Sequence, residues 1–420
     1  MNGAGAVRSE LAWRFTALLA IAMLGIPAPQ RVLAAEATHA APRIADLWDE
    51  SEVDALIHEG LRDNSNGHFD AAARVWKRLG EAAPQHPAAN VHAVDTLVWL
   101  QVFDNVDTRF DDRIVQQSEE GIRKAKAWVK ARPSEARAHL YLGQALMSLG
   151  RLHGIRLRIY RAGLYGERAR KELERALELD PSLTDAKYSI GLYAYYASAI
   201  PDLVQWLSFL WFIPTADAPL GLRYLEEVRR DGDLYQFSAA FYLANIRWYH
   251  DKWLDYPFAL STLEKLRKDH PRNSLIHFEL LEVLLAAGRY EDVLRESREL
   301  ESHPGTGRHD RGRANMGRIW RARAEVLLAR PELGWRLLER FGEDGPMEPS
   351  WGNRWVHSTR GQIKDAMGER AQAIAEYERV MALKLNPKFD RATKIANKGV
   401  DEAFRLPLRI SVENPQTPKN

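Results

Sequence analysis

The sequence predicts an all-α protein in which helical hairpins stack into an α-α superhelix, and three observations support this fold class. One pattern of glycine, small, aromatic and proline positions recurs with a period of about 34 residues, in 53–86, 274–307 and 354–387. Each of these units contains two apolar patterns of helical period, joined by a turn that contains glycine. No segment has the convincing alternation of a β-strand. Because one hairpin cannot bury its own apolar face, such units are expected to stack on their neighbours.

The composition is that of a folded protein and removes several classes of function. The chain has 420 residues, of which 45% are hydrophobic and 28% charged, and this length exceeds one ordinary core. The formal net charge is only +2, so the sequence predicts no nucleic-acid partner. There is no cysteine, which excludes disulfides, thiolate metal sites and cysteine nucleophiles.

Residues 1–35 have the pattern of a signal peptide. Two arginines supply positive charge, the apolar run 15–26 follows, and small residues near Ala34 form a plausible cleavage point. The apolar run is shorter than the ~20 residues that a membrane-spanning helix needs, and an uncleaved interfacial anchor is the alternative. We therefore expect a cleaved signal peptide, a polar linker at 36–50 and a periplasmic mature chain.

The repeat frame extends over residues 51–388, which are expected to form about seven to eight hairpins. Small residues at the eighth place of a unit, such as Gly60, Gly143 and Gly361, are expected to let the two helices approach closely. A proline ends the second helix and begins the next unit. Residues 389–420 are predicted to form a capping helix and a tail, because an array needs a cap at an exposed end.

Several residues give this frame a resemblance to the tetratricopeptide repeat (TPR) family. They are Leu142 and Gly143, Ala169, the run ALELDP at 176–181 and the run GERAQA at 368–373. The resemblance implies a TPR-like solenoid, and an unrelated helical array such as HEAT repeats is the alternative. In TPR proteins the ligand usually lies on the concave face, which the first helix of each hairpin lines.

Two insertions interrupt the frame. Residues 152–165 are predicted to lengthen the turn of the third hairpin with arginine and apolar residues. They form either a basic amphipathic patch for an acidic partner or a phospholipid surface, or a solvated helix extension. The second insertion, 200–219, contains the apolar run 200–214, which is too short to span a bilayer. This run is expected either to be buried in the solenoid or to form an exposed apolar wall.

The order of motifs around the second insertion is similar to a group of exported bacterial TPR proteins of undefined role, over residues 140–288. In the units that begin at Thr184 and Phe237, the contact positions of the TPR family imply an aromatic concave face. The candidate ligand-binding residues on it are Tyr188, Tyr195, Tyr196, Phe241, Asn245, Trp248 and Tyr249. Aromatic side chains offer a large contact area at low entropic cost and suit peptides or flat apolar ligands. The alternative is that the 200–214 helix folds back over these rings.

Catalytic spacing is absent from the sequence. The 13 histidines are scattered, no glycine-rich loop follows a strand, and no catalytic residue, metal or cofactor is predicted. The sequence therefore favours an exported binding or scaffold protein, not an enzyme, which holds a peptide or protein partner on its concave face. The alternative is a periplasmic small-molecule or lipid receptor associated with a transporter, with a pocket walled by the 200–214 helix. A contact with an apolar ligand or a membrane surface belongs to that alternative.

Overall fold

The hairpin array was obtained as a computed structural model of the chain. The described residues are 48–105, 107–198, 217–302, 308–339, 341, 349–383 and 391–406. The chain divides into two units, Met1–Pro42 and Arg43–Asn420, and every described residue belongs to the second unit. The predicted signal peptide at 1–35 and the apolar run 200–214 lie outside the described residues.

Seventeen α-helices and no β-strand occupy the described residues, which confirms the all-α class. The helices are α1 (Glu50–Ser65), α2 (Phe69–Ala82), α3 (Ala88–Val102), α4 (Asp111–Ala131), α5 (Ala136–Ile155), α6 (Ile159–Leu179), α7 (Ala186–Ser198), α8 (Ala218–Asp231), α9 (Gln236–Tyr249), α10 (Tyr256–Asp269), α11 (Ser274–Ala286), α12 (Tyr290–Ser302), α13 (Arg308–Leu327), α14 (Pro331–Leu338), α15 (Gly352–Ala366), α16 (Arg370–Ala382) and α17 (Arg391–Asp401). Consecutive helices pack in pairs from α1–α2 to α15–α16, and α17 packs on the last pair. The structure is the solenoid of helical hairpins that the sequence predicts. None of the described helices combines the length and the apolar character needed to cross a membrane.

The turn glycines of the repeat frame have a common backbone role. Gly67, Gly288 and Gly368 have φ values of 77°, 76° and 79°, the left-handed region that favours glycine. At each turn the glycine N–H and the next N–H donate to carbonyls of the preceding helix, as in Gly67 to Asn64 and His68 to Asp63. The recurring glycine is therefore the residue that ends the first helix of the hairpin.

A contact between a basic and an acidic side chain recurs between the two helices of several hairpins. In each case a basic side chain near the start of the first helix meets a glutamate on the second helix. The pairs are His139–Glu172 (2.7 Å), Lys187–Glu227 (2.6 Å), His277–Glu296 (3.0 Å) and His357–Glu376 (2.7 Å). The His277 contact holds the pKa of the Glu296 carboxyl below its usual value.

The insertion 152–165 lengthens two helices, and the prediction that it lengthens the turn between them is wrong. Helices α5 and α6 have 20 and 21 residues, against 13 in each helix of the α11–α12 hairpin. The turn stays short because Leu157 takes the left-handed φ of 55° in place of glycine. Arg156 does not face solvent as a free charge, since its guanidinium donates to Asp111 and to the carbonyls of Asn105 and Asp107.

Helix α3 contacts hairpins that lie far from it in the sequence. Trp99 packs against Phe241 with 5.2 Å between ring centroids, and Phe103 packs at the same distance against Phe278. The Phe103 carbonyl also accepts a hydrogen bond of 3.0 Å from Trp351 Nε1. These contacts place α3 in one hydrophobic core with residues of α9, α11 and α13. The inner side of the middle hairpins is therefore partly covered by an N-terminal helix.

We expect Gly143→Leu to lower the free energy of unfolding by about 1–3 kcal/mol because the helix crossing is already full. A Cβ atom at Gly143 would lie 2.5 Å from Leu173 Cγ and 3.2 Å from the Ala169 carbonyl oxygen. Gly154→Leu in the same helix is the matched control, since only Ala162 Cβ comes near, at 3.9 Å. Urea unfolding of both variants provides the measurement, and equal stabilities would contradict this packing of α5 on α6.

Candidate binding site

The predicted ligand-binding residues lie on α7 and α9, the first helices of two successive hairpins. Three of them belong to the packed interior of the protein: Tyr195 and Phe241 are each 2% exposed, and Trp248 is 4% exposed. Phe241 is covered by Trp99 of α3. A role of these three side chains in ligand binding stays a prediction, but their burial means that truncating them would also change stability.

Tyr188 is half-buried in a stack with Tyr235. The two rings are 4.6 Å apart and 6° from parallel. The start of α9 is held near them because the Asp185 carboxylate accepts hydrogen bonds from the backbone N–H groups of residues 233–235. Most of the Tyr188 ring surface is therefore used within the protein.

Tyr196 and Tyr249 are the exposed members of the predicted set, with 42% and 46% of their surface accessible. Burial nevertheless raises the pKa of the Tyr196 hydroxyl, and the charged groups that act on it include Glu279 and Arg151. The Tyr196 side chain is therefore accessible to solvent, and its hydroxyl lies near protein groups that raise its pKa. Asn245 lies between the two tyrosines in sequence and is half-buried.

Two carboxyl groups of α11 join this surface. Asn245 Nδ2 lies 3.4 Å from Glu279 Oε2, and Glu282 follows one helical turn later. Burial raises the pKa of Glu279 to about 7, while Asn245 and Arg313 act in the opposite direction. Burial and the neighbouring Glu279 raise the pKa of Glu282, and Arg391 opposes them. We call Tyr196, Asn245, Tyr249, Glu279 and Glu282 the binding surface.

Glu279 and Glu282, the acidic part of the binding surface, are not among the residues predicted from the sequence. Glu282 is the ninth residue of the unit that begins at Ser274. Asn245 is likewise the ninth residue of the unit that begins at Phe237. Extending the family's contact positions to that unit would have found it. Arg391 lies close to Tyr249, at 4.8 Å from the ring centroid. No repeat position of its own signals this contact, because α17 comes after the last hairpin.

Among the residues that the structure describes, one further group of side chains has the donor atoms of a metal site. The donor atoms of His277, Glu296 and Glu299 lie within 4.8 Å of one another. Each carboxylate already has a cationic partner, since Arg267 pairs with Glu299 and Arg295 pairs with Glu296. These contacts commit the donor atoms to ion pairs within the protein, and we assign no metal to them.

Comparison with known proteins connects this architecture to one family. A family model described as "Tetratricopeptide repeat" matches residues 115–154, which cover most of α4 and nearly all of α5. The comparison with curated protein sequences gives no match.

The solved structures with similarity to this chain include three TPR proteins. A thermophilic TPR protein from Thermus thermophilus is 17% identical, with a TM-score of 0.34 over 56% of this chain and 99% of that one. A tetratricopeptide repeat protein from Parabacteroides merdae is 12% identical, with a TM-score of 0.26 over 83% and 98%. The TPR domain of P58(IPK) is 12% identical, with a TM-score of 0.24 over 84% and 97%. The family match shows that residues 115–154 contain a tetratricopeptide repeat, and helical hairpins continue the array on both sides of that match.

Proposed function

We propose that this protein is an exported, periplasmic scaffold that binds an extended segment of a partner protein at the binding surface. TPR arrays are generally protein-interaction scaffolds, because stacked repeats present a continuous surface along the array. The observation that carries the proposal is the position of Tyr196, Tyr249 and Glu282 on α7, α9 and α11. These are the first helices of three successive hairpins, so an extended peptide can contact all of them in turn.

The chemistry of the binding surface suits a polypeptide. The two exposed tyrosine rings offer apolar area with a polar end, which is the usual character of contact residues in protein interfaces. Asn245 has an amide that can both donate to and accept from a peptide backbone. The acidic pair on α11 adds charge at one end. We infer binding without turnover.

Simultaneous replacement of Tyr196 and Tyr249 by alanine is expected to weaken peptide binding by roughly tenfold or more. The unfolding temperature should stay close to that of the wild type, since both rings are exposed. Fluorescence polarisation with a library of short labelled peptides provides the measurement. Tyr160→Ala is the control, because Tyr160 is 57% exposed on the separate α5–α6 hairpin.

Two outcomes of that measurement would reject the proposal. One is the absence of binding by any peptide in the library. The other is an equal loss of affinity in Tyr160→Ala and in the double variant, which would place the contact elsewhere.

The small-molecule or lipid receptor stays a prediction. Its pocket requires the 200–214 helix, which lies outside the described residues. No contact among the described residues favours it over the scaffold.

A further inference from the structure

Arg391 connects the C-terminal helix to the binding surface. It is the first residue of α17, and its guanidinium carbon lies 5.0 Å from the ring centroid of Trp248 and 4.8 Å from that of Tyr249. Both distances are within the range of a cation–π interaction. Helix α17 itself packs on α15 and α16. The Arg391 guanidinium therefore contacts aromatic rings of the α9–α10 hairpin, whereas its helix packs on the α15–α16 hairpin.

The carboxyl groups next to these rings favour a cation when they are charged, which for Glu279 requires a pH above about 7. Glu279 is buried and Glu282 is half-buried, and both belong to α11, the first helix of the hairpin that follows α9–α10. Arg391 is among the charged groups that act on Glu282, and Arg313 is among those that act on Glu279. Nη1 of Arg313 donates to Ser274 at 2.7 Å and lies 3.4 Å from Asp310. We call Trp248, Tyr249, Glu279 and Glu282 the recess.

The position of Arg391 is not explained by its own helix. The positive end of the helix dipole lies at the N-terminus, so a cation in the first turn is repelled. The other end of α17 has a separate anchor, because Arg370 donates hydrogen bonds of 2.7 Å to the carbonyls of Gly399 and Val400. The contacts that favour the Arg391 guanidinium are thus those of the recess.

We propose that the recess is a binding site for an arginine side chain of the partner segment, and that Arg391 is the internal occupant which that side chain displaces. A planar guanidinium can stack on aromatic rings and pair with carboxylates at the same time, which an ammonium group does less well. This inference rests on the proposed function and specifies the partner as a segment that contains arginine.

Calorimetric titration with N-acetyl-arginine amide tests the recess directly, at about pH 8.5, above the pKa of Glu279. The wild-type affinity is reduced by the fraction of molecules in which Arg391 occupies the recess. Arg391→Ala and Arg391→Gln are therefore expected to bind the probe roughly tenfold more tightly than the wild type. Adding Glu282→Gln to either variant should remove that gain. Isosteric N-acetyl-citrulline amide, which has no charge, should not bind.

Lys398→Ala is the matched control, because it removes one positive charge from an exposed position of the same helix. It should bind the probe as the wild type does. The glutamine variant keeps an uncharged side chain at 391, and circular dichroism with thermal unfolding shows whether both variants retain α17. Equal affinity in the wild type and the folded Arg391 variants, or equal binding of citrulline, would overturn the proposal. The proposal would also be overturned if the Arg391 variants lost helix α17 and bound the arginine probe no more tightly than the wild type.

Failure of the recess and failure of the scaffold give different results. If peptides bind and depend on Tyr196 and Tyr249 but the arginine probe does not respond to Arg391, only the recess is wrong. If the probe binds as expected and no peptide does, the recess is a site for a small cation and the scaffold is wrong.

Discussion

Trp76→Ala is expected to lower the free energy of unfolding by about 3–5 kcal/mol, the largest effect among the single substitutions considered. Trp76 of α2 is buried, and its ring fills the space that a Cβ atom at Gly60 of α1 would enter at 2.2 Å. Its Nε1 donates to Thr96 Oγ1 of α3 at 2.8 Å, and that hydroxyl donates to Asn64 Oδ1 at 2.9 Å. Truncation therefore opens a cavity between three helices and removes the hydrogen bond that the buried Thr96 hydroxyl oxygen accepts.

Two variants separate the contributions at this position. Trp76→Phe keeps most of the ring and loses the N–H, so its cost should be smaller than that of alanine, at about 1–2 kcal/mol. Lys77→Ala, at the exposed neighbouring position, should change stability by less than about 0.5 kcal/mol. Urea unfolding followed by circular dichroism measures all three. A Trp76→Ala variant as stable as Lys77→Ala would show that the first hairpin is packed differently.

The hairpins could be predicted from the sequence because their causes are local and periodic. Gly67, Gly288 and Gly368 have the same place in the repeat, and a left-handed turn requires glycine or a strained residue there. The same reasoning missed the turn of the α5–α6 hairpin, since Leu157 takes that conformation without being glycine. The insertion was therefore placed in the turn, whereas it adds about two turns of helix to each of the two helices.

The cover over the candidate site could not be predicted in this way. The repeat frame indicates which side of α9 faces inward, and Phe241 and Trp248 are both on it. The repeat frame does not indicate which distant helix contacts that side. Trp99 of α3 contacts Phe241, and Arg391 of α17 contacts Trp248, from opposite ends of the array. Such contacts depend on the accumulated geometry of many stacked units. The predicted inward side is therefore part packed core and part exposed surface.

Raising the pH from about 4.5 to about 8 is expected to destabilise the wild type through the acidic pair on α11 by on the order of 2–3 kcal/mol. Burial raises the pKa of Glu279 from 4.5 to about 7, and the pKa of Glu282 is raised as well. Between about pH 4.5 and pH 7 the folded state binds more protons than the unfolded state. The free energy of unfolding therefore falls as the pH rises through this range. The charges of Arg313 and Arg391 reduce the effect without removing it.

Glu279→Gln isolates this contribution because the amide resembles the protonated carboxyl. The variant should match the wild type near pH 4.5 and exceed its stability above about pH 7, where the wild-type carboxyl is charged. Glu296→Gln is the opposite case. The pKa of the wild-type Glu296 carboxyl is lowered, chiefly by His277. The charged carboxylate therefore stabilises the wild type above about pH 4.5, and this stabilisation is lost as the pH falls. Parallel stability curves for Glu279→Gln and the wild type would mean that Glu279 is charged in the folded protein at neutral pH. The recess would then carry its full negative charge without a cost in stability.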